Sequence, residues 1–186
     1  MFTKLIENIV PVEMCDELID FSKKLNLDFV STYNYKTNKE FLDTSFNKRK
    51  GVRFETSDFS QIQSFSENIF NILNELKLYD GIVYNNIPSF LFNSYEETHF
   101  LNYHADNREI EDGATITVLL QLNDNYEGGE FCYKLNNIVY EVPKIKGSVF
   151  LFESHIQHKV NIVKKGTRYS LNAWPHFTKL KTSKLF

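Results

Sequence analysis

His104, Ala105 and Asp106 set an imidazole and a carboxylate two residues apart. On an extended backbone alternate side chains share a face, so both groups can reach one metal ion. The pair alone carries little weight. Five His and nine Asp in 186 residues give about 0.24 such pairs by chance, and a surface turn closed by a His–Asp hydrogen bond would account for it. His158, in a later β-type run, and Arg168, ten residues beyond it at the start of RYSLNAW, change the balance. Two His and one Asp can occupy three positions on one face of an octahedral Fe(II), leaving three for a bidentate co-substrate and O2. A dicarboxylic co-substrate that chelates the metal at one end needs its far carboxylate neutralised, and Arg168 offers a planar, permanently charged fork for that task. Such a pair contributes on the order of 1.5–3 kcal/mol.

His155 competes with His158 as the third ligand. The two stand an odd number of residues apart and would point to opposite faces of a regular strand, so only one can face a cavity. The spacing to Arg168 favours His158 and leaves His155 a structural or rim role. His99 and His176 have no carboxylate or second His at strand or helix spacing and are expected as partly buried or surface histidines.

Positioning such groups requires a β scaffold. From residue 82 onward short β-type runs are divided by Asn, Asp and Gly: around 82–95, 99–104, 114–122, 129–134, 137–142, 147–153, 158–163 and 168–175. Eight short strands suggest a sandwich or barrel. In ATITVLLQLND, Ile116, Val118, Leu120 and Leu122 share one face, and Thr115, Thr117, Leu119 and Gln121 share the other, which is polar enough to line a cavity. Ahead of the strands, Pro11 opens a stretch with Met14, Leu18 and Leu25 at helical spacing and acidic first turns, predicting a helix over 12–26. A second helix is expected after the cap candidates Ser57 and Asp58, where Phe59, Ile62, Phe65, Ile69, Leu73 and Leu76 form one apolar stripe ending near Lys77. Residues 31–51 are polar, basic toward the end and studded with aromatics, Tyr33 and Tyr35 among them, and read as a substrate-binding loop.

Composition narrows the class. Hydrophobic residues at 42% and aromatics at 15% supply enough apolar surface for a sizeable core, which excludes a disordered linker. A formal charge of −3 gives no bulk attraction to a phosphate backbone, so nucleic acid is not expected as a partner. Cys15 and Cys132 are too few for a disulfide framework and read as buried thiols. The first twenty residues mix acidic with apolar side chains and contain no signal-like apolar block. The expected setting is cytoplasmic, with no membrane association, and residues 1–186 are expected to form one domain with 1–80 as helical support and substrate loop and 82–175 as the β core.

Longer segments extend the pattern. YEETHFLNYHADN at 95–107 brings a Tyr and then the His-x-Asp pair; LNDNYEGGEF at 122–131 has a strand, a turn and Gly-Gly-Glu; GSVFLFESHIQHKVNIVKKGTRYSLNAW at 147–174 carries Gly-x-x-x-x-Phe, the distal His, and the Arg followed six positions later by Trp. Together they resemble the Fe(II)- and 2-oxoglutarate-dependent dioxygenases, in particular the prolyl 4-hydroxylase-like branch. FTKLIENIVPVEMCDELIDFSKK also resembles the opening strand and helix of that family. The resemblance implies an α+β fold with a double-stranded β-helix core of the jelly-roll or cupin type, carrying N-terminal helices. It makes His104, Asp106 and His158 the iron ligands, Arg168 the partner of the 2-oxoglutarate C5 carboxylate, and Tyr95 a further co-substrate contact. Two positions depart from the family pattern: Gln121 stands where many prolyl hydroxylases have a Tyr beside the co-substrate, and Thr98 stands where a Gly is expected.

The implied reaction consumes 2-oxoglutarate and O2, releases succinate and CO2, and oxidises an unactivated C–H bond, with ascorbate as an auxiliary reductant. The protein's share is to bind and orient. The resemblance implies a prolyl residue of a peptide or protein as acceptor, seated near the barrel mouth under the 31–51 loop with Tyr33 and Tyr35, and bordered by Asn107 and Trp174. A free amino acid or small metabolite would use the same metal site. Trp174 occupies the place where a nucleic-acid demethylase of this superfamily would carry a second Arg. A non-catalytic jelly-roll binding module is the alternative from a different class, and it would not need the intact His104, Asp106, His158 and Arg168 set.

Overall fold

The computed structural model describes residues 1–34, 39–106 and 115–180. Among these, two larger antiparallel sheets face each other. One runs, in spatial order, Thr3–Ile6, Val149–Glu153, Ile116–Gln121, Arg168–Ala173, Ser89–Tyr95, Lys50–Glu55 and Asp28–Phe29. The other runs Ile138–Glu141, Phe131–Leu135, His158–Val160, Phe100–His104 and Asn47–Lys48. From Ser89 to Ala173 the chain passes back and forth between the sheets, with the Phe131–Leu135 and Ile138–Glu141 hairpin as the one local pair. This winding is the double-stranded β-helix, and it sets distant residues opposite each other: His158 against His104, and Arg168 against Tyr95.

The period-two alternation of the central strands explains the layering. Leu119, Phe150, Phe152 and Tyr95 of the first sheet meet Leu101, Phe131 and Val160 of the second between the sheets. Their strand neighbours Val118, Leu120, Val149 and Leu151 point the other way and pack beneath the helices Val12–Lys23 and Ser60–Leu76 through Cys15, Leu18, Ile62, Ile69 and Leu73. Each such side chain contributes roughly 1.5–3 kcal/mol by leaving water. The helices thus brace the outer face of one sheet, and the inter-sheet space is left for the site.

Several boundaries differ from the sequence reading for local reasons. The first helix ends at Lys23 rather than 26, because the N–H groups of Lys24 and Leu25 turn to Phe21 and Ser22 in a tighter last turn. Asp58 does not cap the second helix. Its carboxylate accepts the Glu55 N–H at 2.8 Å and closes the short 3-10 turn Thr56–Asp58, so the helix begins at Ser60 after an uncapped Phe59. The 82–95 run divides at Ile87 and Pro88, where the missing N–H of proline interrupts pairing; Ile82–Asn86 pairs instead with His176–Lys179, a strand the periodicity did not reveal. The 158–163 run likewise divides, and Val163–Lys165 pairs with Glu127–Gly128. Gly128 and Gly129 take φ of +71° and +63°, and a Cβ at Gly128 would collide with the Ile162 carbonyl.

The 31–51 segment is largely built into strands. Thr32–Asn34 pairs with Lys39–Phe41, Asn47–Lys48 joins the smaller sheet, and Lys50–Glu55 joins the larger, so the chain changes sheets at Arg49. Tyr35 and Asn107 lie outside the described residues, and Tyr33 is described by its backbone alone. No helix among the described residues is long and apolar enough to cross a membrane.

Candidate metal centre and its cavity

His104 ends the strand Phe100–His104 and His158 begins the strand His158–Val160, and antiparallel register places them side by side. Asp106 follows two residues after His104, its N–H held by the Ser154 carbonyl at 2.9 Å. One ligand atom from each of His104, Asp106 and His158 falls within 4.8 Å of the others.

The hydrogen bonds around the trio fix which atoms face inward. The Nδ1 atoms of His104 and His158 lie 3.0 and 2.9 Å from the carbonyls of Asn102 and Ile156, which can only accept, so both rings carry their proton on Nδ1. Each Nε2 is left facing Asp106 Oδ1, at 3.3 Å from His104 and 3.5 Å from His158. The other oxygen, Oδ2, accepts from the Thr117 hydroxyl at 2.8 Å and from the Trp174 indole at 3.3 Å.

Electrostatics point the same way. Burial pushes the His104 pKa down, and His158 and Arg49 nearby push it further, outweighing Asp106, so His104 is neutral at pH 7. Burial by itself would raise the Asp106 carboxyl, but His158 and His104, which donate to it from Nε2 only when that atom is also protonated, prevail and hold it well below the usual carboxylate range. A neutral Nε2 facing an ionised carboxylate oxygen sets lone pair against lone pair. A divalent cation between them converts that repulsion into coordination, and carbonyl-held Nδ1 atoms are the usual support for such ligands. The donor set therefore fits Fe(II).

Beyond the trio a cavity opens between the sheets, lined by Leu91, Leu101, Phe131 and Val160 and by Arg49, Tyr95, Arg168, Asn172 and Trp174. Arg168 is 1% exposed. Its Nη1 donates to Ser170 Oγ at 2.9 Å and its Nη2 to Gln121 Oε1 at 3.1 Å, while Nε has no partner. The Tyr95 ring lies 5.3 Å from the guanidinium carbon. None of the ion pairs among the described residues includes Arg168. A fully buried, uncompensated guanidinium is costly unless an anion joins it.

Residues 90–176 match the sequence profile of the 2OG-Fe(II) oxygenase superfamily. Through this segment, a little under half of its length, the chain is similar to the 2OG-Fe(II) oxygenase superfamily. It is 30% identical over 93 residues to a PKHD-type hydroxylase of Acinetobacter baumannii, a match covering 45% of this chain and 41% of that protein. The chain thus spans less than half the length of that curated relative. Among solved structures, a Pseudomonas putida prolyl-4-hydroxylase superposes with a TM-score of 0.74 at 14% identity, covering 94% of this chain and 91% of that one. A Trichoplax adhaerens prolyl hydroxylase, solved in complex with a peptide fragment of the hypoxia inducible factor oxygen degradation domain, gives 0.76 at 17% identity, covering 93% and 82%.

The two sheets gather His104, Asp106, His158, Arg168, Tyr95 and Trp174 into one cavity. Gln121 is not on the cavity wall. It stands behind Arg168, its amide nitrogen donating to the Tyr126 hydroxyl at 2.9 Å and to the Asn123 carbonyl at 2.6 Å, and so bears on the cavity only through the guanidinium it holds. Trp174 reaches the Asp106 carboxylate as well as lining the cavity. His155 is exposed, with its ring 4.0 Å from Glu153, and His99 is buried, accepting the Glu96 N–H at 3.2 Å. Two site residues escaped the sequence reading. Thr117 lay on the face already read as polar, and its spacing from Asp106 gave no hint of the bond. Arg49 was hidden between Lys48 and Lys50 in a basic run.

Proposed function

We propose that this chain is an Fe(II)- and 2-oxoglutarate-dependent dioxygenase that hydroxylates a prolyl residue of a peptide or protein, with 1–186 acting as one catalytic domain. The observation that carries the reading is the pairing of three inward-facing donors with a buried arginine that lacks an anionic partner, on opposite walls of one cavity. His104, Asp106 and His158 would hold iron on one face and leave the opposite face to the cavity. Bound iron with 2-oxoglutarate supplies the activation of O2 that oxidises a C–H bond, with release of succinate and CO2.

The chain's own groups do the positioning. Arg168, held by Ser170 and Gln121 so that its remaining N–H points at no protein acceptor, would take the distal carboxylate of 2-oxoglutarate over the Tyr95 ring. Leu91, Leu101, Phe131 and Val160 exclude water from the reacting carbon. Thr117 and Trp174 keep Asp106 turned so that Oδ1 faces the imidazoles. The prolyl acceptor is supported by the likeness to prolyl hydroxylases in sequence pattern and fold. Ascorbate would serve as reductant in turnover, and two buried, unpaired cysteines suit a reducing cytoplasm.

The test is succinate release from purified protein given Fe(II), 2-oxoglutarate and ascorbate, with mass spectrometry of proline-containing peptides for the gain of one oxygen. His158→Ala is expected to abolish turnover. Equal oxygenation of proline-free peptides would overturn the prolyl assignment, and turnover that survives in His158→Ala would overturn the ligand assignment.

A further inference from the structure

The cavity contains a second cation that the co-substrate does not use. Arg49 sits where the chain leaves the smaller sheet at Lys48, paired with Phe100, and enters the larger sheet at Lys50, paired with Ser94. That crossing delivers its side chain to the inter-sheet cavity. Its neighbours turn elsewhere: Lys48 Nζ donates to Thr98 Oγ1 at 2.7 Å, and Lys50 Nζ pairs with Glu96 at 2.8 Å. Arg49 is different. Its Nε and Nη1 are buried and have no hydrogen-bond partner. Its guanidinium carbon lies 6.0 Å from the Tyr95 ring, the ring that Arg168 also approaches, and its charge is felt at His104.

A charge count shows what is missing. The described lining residues supply Arg49 and Arg168 as cations and Asp106 as the one carboxylate. A divalent metal with doubly negative 2-oxoglutarate adds no net charge. One 2-oxoglutarate carboxylate is committed to the metal and the other to Arg168, so Arg49 retains two buried donors and an uncompensated charge. Buried donors without acceptors are costly, which favours a ligand that supplies an anionic acceptor.

We propose that Arg49 is a substrate-binding residue that receives a carboxylate of the acceptor, so that the acceptor is an anionic molecule rather than a neutral, internal stretch of peptide. This rests on the oxygenase reading of the cavity. The carboxylate could belong to a free amino acid, to a chain terminus, or to an acidic side chain beside the oxidised residue. All three offer the same planar acceptor to the guanidinium fork.

Isothermal titration calorimetry on the whole protein loaded with Mn(II) and 2-oxoglutarate under anaerobic conditions tests this without turnover. The probes are free L-proline, N-acetyl-L-proline, and the peptides acetyl-Gly-Pro and acetyl-Asp-Pro-amide, each set against the counterpart whose carboxylate is replaced by a neutral amide: L-prolinamide, N-acetyl-L-prolinamide, acetyl-Gly-Pro-amide and acetyl-Asn-Pro-amide. At least one acid is expected to bind about tenfold to a hundredfold more tightly than its amide partner, and the pair that shows the preference identifies the source of the carboxylate. Arg49→Gln is expected to erase the preference while changing 2-oxoglutarate affinity less than threefold, and Arg49→Lys to restore part of it. Absence of a preference across every pair in the wild type, binding of none included, overturns the proposal, as does an Arg49→Gln protein that keeps the preference or loses 2-oxoglutarate as severely as Arg168→Gln. Failure of the wild type to bind Mn(II) and 2-oxoglutarate at all would instead overturn the oxygenase reading on which the proposal rests.

Discussion

His104 and His158 stand opposite each other on adjacent antiparallel strands with ring centroids 4.2 Å apart, and each gives its Nδ1 proton to the carbonyl two residues earlier in its own chain segment. Two rings locked in the same tautomer present two lone pairs to one carboxylate oxygen. A divalent ion that relieves this arrangement must stabilise the fold, by about 2.7 kcal/mol at a concentration one hundred times its dissociation constant. In a chain of this size that corresponds to a rise in Tm of roughly 5–10 °C. Thermal melts with and without Mn(II) are expected to show the rise in the wild type and none in His104→Ala.

Arg168 separates co-substrate binding from metal binding. Arg168→Gln is expected to weaken 2-oxoglutarate by about 1.5–3 kcal/mol, roughly ten- to a hundredfold, because a charge-assisted pair is lost. The Mn(II)-induced rise in Tm should persist, since the guanidinium contributes no ligand atom to the trio. Loss of both would make Arg168 a structural residue.

How far the site was legible follows from where its signals sit. His104, His158 and Arg168 lie on strands whose alternation can be read directly, with Asp106 two residues past a strand end, and the alternation in ATITVLLQLND put Thr117 and Gln121 on one face, from which they hold Asp106 and Arg168 without lining the cavity. Strand pairing across long separations left no local signal. Thus the crossing at Arg49, the pairing of 176–179 with 82–86, and the placement of Gln121 behind Arg168 rather than on the cavity wall emerge only from the three-dimensional arrangement. The cap at Asp58 was misjudged because an Asp before an apolar stripe serves a 3-10 turn as well as an α-helix.

Thr98, where the family pattern has Gly, adopts φ of +69°, a left-handed conformation that a β-branched residue enters at a cost of about 1–2 kcal/mol. Its hydroxyl accepts from Lys48 at an exposed site, which offsets only part of that cost. Thr98→Gly is expected to raise Tm by about 2–4 °C for each kcal/mol regained. A lower Tm would mean that the Lys48 contact outweighs the strain.

Glu153 ties the N-terminal strand to the core, accepting the Phe2 N–H at 2.7 Å and the Tyr79 hydroxyl at 2.6 Å. Burial alone would raise its pKa, but the Tyr79 and Phe2 hydrogen bonds, the N-terminal charge and His155 together lower it. A carboxyl lowered on folding stabilises the protein above its unfolded pKa near 4.5, and that contribution disappears as pH falls through the lower folded value. Urea unfolding is expected to show Glu153→Gln less stable than the wild type at pH 7, with the gap closing toward pH 3. A gap that stays constant across that range would contradict the assignment.

Trp174 is the only tryptophan in the chain, and its indole donates to the carboxylate of Asp106 at 3.3 Å. Paramagnetic Mn(II) held by His104, Asp106 and His158 must therefore quench its fluorescence. The most direct measurement is an anaerobic titration of the metal-free protein with Mn(II), monitored through this emission. The expected result is saturable quenching complete at a single equivalent in the wild type and absent in His158→Ala. Quenching that never saturates, or that is unchanged in His158→Ala, would contradict the metal centre.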